Sequence, residues 1–188
     1  MAARWTTPDA STPVYKAIRM YRNYDGAKST FGETSVSAAG PNPDDVSVFA
    51  STRAYDGALT VMVISKYTGG NTPVTVNLEH FAASGAARVY QLSASNAITR
   101  LADVTVSGGT LSTVAPSPSV TLFIVPPASR CDCNRDGAVN VLDVQRLVNV
   151  VLGVSPPLGT EDLNRDGRAD VVDLQMLVNV VLGGTCPE

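Results

Sequence analysis

The sequence predicts a mainly β protein: an antiparallel β-sandwich followed by a small α-helical module that carries two acidic loops. Three observations predict it. Between about Ser35 and Pro126 the 188-residue chain is a succession of short β-branched runs punctuated by Gly, Asn, Asp and Pro. Residues 132–153 laid over 162–183 are identical at 15 of 22 positions, an internal repeat of one loop plus one helix. Charge divides along the same line, since residues 1–130 hold 10 Lys and Arg against 8 Asp and Glu, and residues 131–188 hold 4 against 9. The net charge of −3 therefore hides a near-neutral part and an acidic part, which points to two modules with different work.

Length and composition exclude several classes. A (β/α)8 barrel needs about 250 residues and does not fit. No apolar run approaches the roughly 20 residues of a membrane-spanning helix, and the start of the chain lacks the apolar core of a signal peptide. The expectation is a soluble polypeptide with no membrane partner, whose export signal has been removed or lay upstream. Without a cluster of Lys and Arg, no nucleic-acid partner is expected either.

Residues 1–34 read as a lead-in with one short helix. Ser11 and Thr12 supply a cap, Pro13 sits in the first turn, and Val14, Ala17, Ile18 and Tyr21 recur at helical spacing. The turn-forming stretch Asn23 to Gly26 ends it. Residues 35–126 form the predicted sandwich, with runs at Val46–Ala50, Ala58–Ser65, Pro73–Leu78, Ala87–Leu92, Val104–Val106 and Ser119–Val125. Turn signals at Asp56-Gly57, Gly69-Gly70-Asn71 and Gly108-Gly109 separate them. Ala58–Ser65 is almost continuously apolar, as a central strand covered on both faces would be. Residues 127–130 are a short linker, and residues 131–188 the acidic module.

Within each copy of the repeat, oxygen-bearing side chains recur at fixed spacing: Asp132, Asn134, Asp136, Asn140 and Asp143, then Asp162, Asn164, Asp166, Asp170 and Asp173. These are the first, third, fifth, ninth and twelfth places of an EF-hand calcium loop, with Gly137 and Gly167 at the sixth, where the chain turns sharply. A hard dication takes about 6–8 oxygens at roughly 2.3–2.6 Å, and a twelve-residue loop wraps them round it only with such a turn. The seventh place donates a backbone carbonyl, so Ala138 and Arg168 are acceptable there. Asp143 and Asp173 replace the usual Glu at the twelfth place. Their carboxylates are one methylene shorter, so the helix behind must approach the ion or a water must help. The spacing thus predicts two calcium ions.

Proline pairs at Pro126-Pro127 and Pro156-Pro157 precede the loops, so each unit is loop then helix with no entering helix. The predicted helices run Asp143–Leu152 and Asp173–Leu182. Val144, Leu147, Val148, Val151 and Leu152 share one stripe, and Leu174, Leu177, Val178, Val181 and Leu182 another; packed together they would form the module's core. Val141, Leu142, Val150, Val171, Val172 and Val180 lie off those stripes, either partly buried or as an exposed docking patch. A core so small implies that calcium binding is coupled to folding.

Cys131 and Cys186 flank the acidic module, so a disulfide between them would clasp its ends in an oxidising compartment. Cys133 competes for the same partner, and one thiol stays free in a monomer. Three cysteines without a nearby His do not make the usual four-ligand zinc site.

The tandem loops, running Asp-Cys-Asn-Arg-Asp-Gly-Ala-Val-Asn-Val-Leu-Asp over 132–143 and Asp-Leu-Asn-Arg-Asp-Gly-Arg-Ala-Asp-Val-Val-Asp over 162–173, resemble a type I-like dockerin. Dockerins attach secreted polysaccharide-degrading enzymes to cohesin modules of a scaffold. The resemblance implies a cohesin-type partner contacting Val141, Leu142, Asn149, Val171, Val172 and Asn179. The family often has Ser-Thr at the tenth and eleventh loop places, where this chain has Val141-Leu142 and Val171-Val172. The likeness of the two copies implies that a cohesin binds either one by a half-turn of the module.

The first module also carries a resemblance. Tyr15–Gly26, Ser29–Val36, Val46–Ala50 and Leu59–Lys66 are similar to the C-terminal part of family 44 glycoside hydrolases, endoglucanases and xyloglucanases in which a (β/α)8 barrel carries a β-sandwich. The resemblance implies that Pro13–Arg22 corresponds to the end of the barrel and that the parent enzyme acts on plant cell-wall polysaccharide. It would leave Val14, Ile18, Tyr21 and Trp5 on an exposed side. Glycosidases use two carboxylates about 5–9.5 Å apart. In that family both are barrel glutamates, and none of Glu33, Glu79, Glu161 and Glu188 matches them. Glu33 is expected to be solvated or hydrogen-bonded.

No catalytic set is therefore expected, and the chain reads as a noncatalytic C-terminal part of a secreted glycoside hydrolase. The alternative is a small standalone calcium-dependent hydrolase, esterase or glycosidase-like, hosted on the sandwich. It would have to use His80, the only imidazole, although no Gly-x-Ser-x-Gly elbow is present. Carbohydrate stacking would fall to Tyr55, Tyr67 and Tyr90, for which core or edge packing is the expected role.

Overall fold

The computed structural model describes residues 8–83, 85–159 and 161–187. Trp5 and Glu188 lie outside the described residues. The chain divides into two compact units, Met1–Phe81 with Ala86–Pro126 and Ala82–Gly85 with Pro127–Glu188.

The first unit opens with α1 (Pro13–Arg22), capped by Thr12, whose hydroxyl accepts from the Tyr15 N–H at 3.3 Å. Eight strands follow: β1 (Thr34–Val36), β2 (Val46–Thr52), β3 (Leu59–Ser65), β4 (Thr72–Asn77), β5 (Ala86–Ser93), β6 (Ile98–Thr105), β7 (Thr110–Ala115) and β8 (Ser119–Val125). All pairings are antiparallel. Six strands form one sheet in the order β1-β2-β3-β8-β5-β6, and β4 and β7 form a second.

Register explains the core. Met62 pairs with Leu122 and Thr60 with Ile124, so these share one sheet face with Tyr90 and Leu92 of β5. That face buries Met62, Leu122, Ile124 and Leu92 in one cluster with Met20 of α1 and Tyr24. The opposite face carries Val61, Val63, Phe123, Val125 and Val89, all buried. The small sheet pairs Val76 with Leu111 and Thr72 with Ala115 and buries Val74, Leu111 and Ala115, while Pro73, Thr75, Ser112 and Val114 point to solvent. A β-sandwich with apolar residues on its inner faces results. β3 is buried along both faces, as its continuous apolar run requires.

Three strands differ from the sequence reading. β1 and β7 were not anticipated, and β6 extends from Ile98 rather than beginning at Val104. β6 is an edge strand exposed over most of its length, and its Thr, Arg and Asp content obscures the strand pattern. On α1, Val14 and Ile18 are exposed as expected. Tyr21 is instead packed inward, its ring edge-on to Phe31 at 5.3 Å between centroids.

The second unit contains α2 (Val141–Val151) and α3 (Val171–Val181), packed on each other. Both begin two residues earlier than the apolar periodicity indicates, because Asn140 and Asp170 are N-caps and place Val141-Leu142 and Val171-Val172 in the first helical turn. Leu147, Leu177, Leu163, Cys131 and Cys133 are fully buried, with Val144, Val151, Leu174, Met176 and Val180 packed against them. Val180 thus joins the core, whereas Leu152 and Leu182, assigned to the stripes, are 70% and 80% exposed. Each is the C-cap of its helix, where the chain turns away from the helical path. No helix is long and apolar enough to cross a membrane among the described residues.

Candidate metal loops and docking surface

The two loops share most of their hydrogen bonds. Asp132 takes the N–H groups of Asp136 and Gly137 on its two carboxylate oxygens (3.0 and 2.9 Å), and Asp162 those of Asp166 and Gly167 (3.1 and 2.9 Å). Asn134 and Asn164 accept from Asp136 and Asp166 at 2.9 and 3.0 Å. Asp136 and Asp166 accept from Ala138 and Arg168 at 2.9 and 3.0 Å. The backbones match too: the fourth residues, Arg135 and Arg165, have φ of 62° and 61°, and Gly137 and Gly167 have 93° and 92°. At such positive angles glycine carries no Cβ penalty, and this lets the sixth residue reverse the chain.

The twelfth-place aspartates link loop to helix. Asp143 accepts from Asn134 N–H (3.1 Å) and Asn140 N–H (2.8 Å), and Asp173 from Leu163, Asn164 and Asp170 N–H groups at 2.8, 3.1 and 2.9 Å. Asn140 and Asp170 return the favour to the N–H groups of Leu142 and Val172 at 2.8 and 2.7 Å, completing a capping box on each helix. Each loop is therefore held in a closed curve by its own acidic side chains.

Electrostatics leave this arrangement short of positive charge. Asp143 and Asp173 are fully buried and Asp132 is 2% exposed, and no Lys or Arg forms an ion pair with any of them among the described residues. Burial, with the Asp143 and Asp136 carboxylates alongside, pushes the Asp132 carboxyl above its ordinary value. Buried carboxylates are costly unless a cation or several donors compensate them. In this geometry no three His, Cys, Asp or Glu side chains form a ready metal cage among the described residues. The donor set that fits a hard cation here is mixed, combining carboxylates with Asn amide oxygens and the seventh-place carbonyls.

Cys131 and Cys186 are joined in a disulfide that spans a sequence separation of 55, and Cys133 is a buried free thiol. Burial pushes that thiol up to about 12, with the Asp143 and Glu161 carboxylates adding to the effect. It is protonated and unreactive at neutral pH.

The residues expected to meet a partner lie on the outer sides of the helices. Val141, Leu142, Val171 and Val172 are 67%, 57%, 66% and 49% exposed. Asn149 and Asn179 lie eight residues beyond Val141 and Val171, on the same helical stripe. Their side-chain oxygens accept from Gln145 and Gln175 at 3.1 and 3.3 Å. Leu152 and Leu182, at the C-caps of the same helices, are exposed as well.

In the first unit, His80 is exposed in the turn after β4 with a left-handed backbone (φ 59°). No hydrogen bond joins it to a serine or carboxylate among the described residues. Glu33 accepts from the Ala54 N–H at 3.0 Å. Tyr55 and Tyr67 are exposed, Tyr55 under the Arg53 guanidinium at 4.8 Å, while Tyr90 packs on Tyr24 with ring centroids 4.8 Å apart. Sequence reasoning missed Arg53 itself, a buried cation held by Asp56 (2.5 and 3.0 Å) and the Tyr24 hydroxyl (2.6 Å).

Residues 130–182 match the family model of the dockerin type I domain. Endoglucanase A of Paenibacillus lautus is 40% identical over 63 residues, 33% of this chain and 9% of that protein. Among solved structures, CelM2, a bifunctional glucanase-xylanase from a metagenome library, is 61% identical with a TM-score of 0.66, covering 68% of this chain and 25% of its own. A Paenibacillus polymyxa xyloglucanase of glycoside hydrolase family 44 is 28% identical with a TM-score of 0.58, over 61% of this chain and 23% of its own. The chain thus spans about a quarter of the length of these solved relatives.

Proposed function

We propose that this chain is the noncatalytic C-terminal part of a secreted, polysaccharide-degrading glycoside hydrolase, whose second unit binds two calcium ions and docks the enzyme onto a cohesin-type module. The observation that carries this reading is the duplicated loop, in which the first-, third-, fifth- and twelfth-place side chains accept the same backbone N–H groups in both copies, Asp173 taking one more from Leu163, and a fully buried carboxylate closes each loop. One ion falls to Asp132, Asn134, Asp136, the Ala138 carbonyl, Asn140 and Asp143. The other falls to Asp162, Asn164, Asp166, the Arg168 carbonyl, Asp170 and Asp173. When bound, calcium supplies the positive charge that these buried carboxylates lack.

The similarity of CelM2 and the family 44 xyloglucanase supports a parent enzyme acting on plant cell-wall polysaccharide, with the sandwich as its accessory part. The dockerin match supports an extracellular setting and a cohesin-type partner, met by Val141, Leu142, Asn149, Val171, Val172 and Asn179. Valines and a leucine at these exposed places fit an apolar patch on that partner. The test is calorimetric titration of the chain with type I cohesin modules. A complex that forms with calcium and is lost with chelator is expected; no complex with any cohesin, calcium present, would contradict docking. A parallel screen on β-glucan and p-nitrophenyl esters is expected to be silent, and hydrolysis abolished by His80→Ala would favour a standalone hydrolase.

A further inference from the structure

The repeat sets Cys131 opposite Glu161, Cys186 opposite Pro156 and Arg146 opposite Met176, thirty residues apart in each case. In one half of the unit Cys131 and Cys186 are covalently bonded. At the equivalent places in the other half, an Arg146 Nη2 donates to the Pro156 carbonyl at 2.5 Å and reaches a Glu161 carboxylate oxygen at 3.5 Å. The Leu158 and Gly159 N–H groups also donate to Glu161, at 2.8 to 3.0 Å. Met176, where the repeat lacks the arginine, packs in the cluster that contains both disulfide cysteines. The same two points of the fold are thus tied in both halves, once by a covalent bond and once by a bridging cation.

Both ties lie directly before a first loop donor, Cys131 before Asp132 and Glu161 before Asp162. Glu161 is 1% exposed, so its charge is tolerated only while it is paired and fully hydrogen-bonded. We propose that Arg146 and Glu161 are positioning residues for the second calcium loop, doing with charge what the Cys131–Cys186 disulfide does for the first, so that the two ions are held with independently adjustable affinity. The proposal rests on the calcium reading above.

Calorimetric titration of the full oxidised chain with calcium alone tests it, with circular dichroism verifying that each variant keeps its helices. Arg146→Met, which installs the residue found at the equivalent place, is expected to weaken one ion by about 10–100-fold, the usual effect of removing a group that holds a metal ligand in place, and to leave the other unchanged. In an Asp162→Ala background the same change is expected to have no effect on the remaining ion. Cys131→Ser with Cys186→Ser is expected to weaken that remaining ion instead. If Arg146→Met fails to fold, Glu161→Gln, which keeps the side chain's size without its charge, carries the same expectation. Equal weakening of both ions, or no change in either, would overturn the proposal. A wild-type chain that takes up no calcium would overturn the calcium reading itself and this inference with it, a result seen before any variant is measured.

Discussion

Asp143 and Asp173 each do two jobs that a sequence pattern separates poorly. Their place as twelfth loop residues is legible, because ligand spacing is local and the glycines mark the turn. The same carboxylates also complete the N-terminal capping boxes of α2 and α3. Asp173→Ala is therefore expected to destabilise the calcium-free second unit by about 1–2 kcal/mol, the cost of a lost cap, as well as removing one ion. Chemical unfolding in chelator, followed by circular dichroism, measures the first effect separately. The flanking positions of Cys131 and Cys186 make their disulfide the candidate, and the structure forms it; what the sequence leaves open is the competition from Cys133 for the same partner, which contacts 55 residues apart decide. Arg53 is silent in the sequence, because its hydrogen bond to the Tyr24 hydroxyl joins residues 29 apart. Arg53→Ala is expected to cost the first unit about 2–3 kcal/mol, as hydrogen bonds to a buried charged group do, measured by the midpoint of its urea transition.

At the scale of elements, legibility followed burial. β3 and β8, buried on both faces, announce themselves as β-branched runs, whereas β1, β6 and β7 lie at edges or in the small sheet and carry polar residues. Helix periodicity found the seam of α2 and α3 but misplaced their ends, because the caps lie outside the apolar stripe and Leu152 and Leu182 lie beyond the last helical residue. The seam is narrow: Leu147 and Leu177 are the fully buried leucines of the two helices. Leu147→Ala and Leu177→Ala should each cost about 2–5 kcal/mol, the range for deleting a buried leucine. With so small a core, either variant is expected to leave the second unit unfolded without calcium, read as loss of its helical signal in chelator.

For the molecule as a whole, the two units draw stability from different sources. The first has a two-faced apolar core, and the second a small core, one disulfide and the proposed ions. Closing a loop of this length with a disulfide contributes about 4 kcal/mol in the chain-entropy model, so reduction is expected to lower the melting of the second unit and leave the first unchanged. Calcium acts through linkage, stabilising by about 4 kcal/mol at a thousandfold excess over its dissociation constant. Differential scanning calorimetry of the full chain in calcium and in chelator therefore tests the central claim most directly. The account predicts that calcium raises the melting of the second unit alone and that Asp132→Ala with Asp162→Ala abolishes the rise. Identical melting with and without calcium would contradict it.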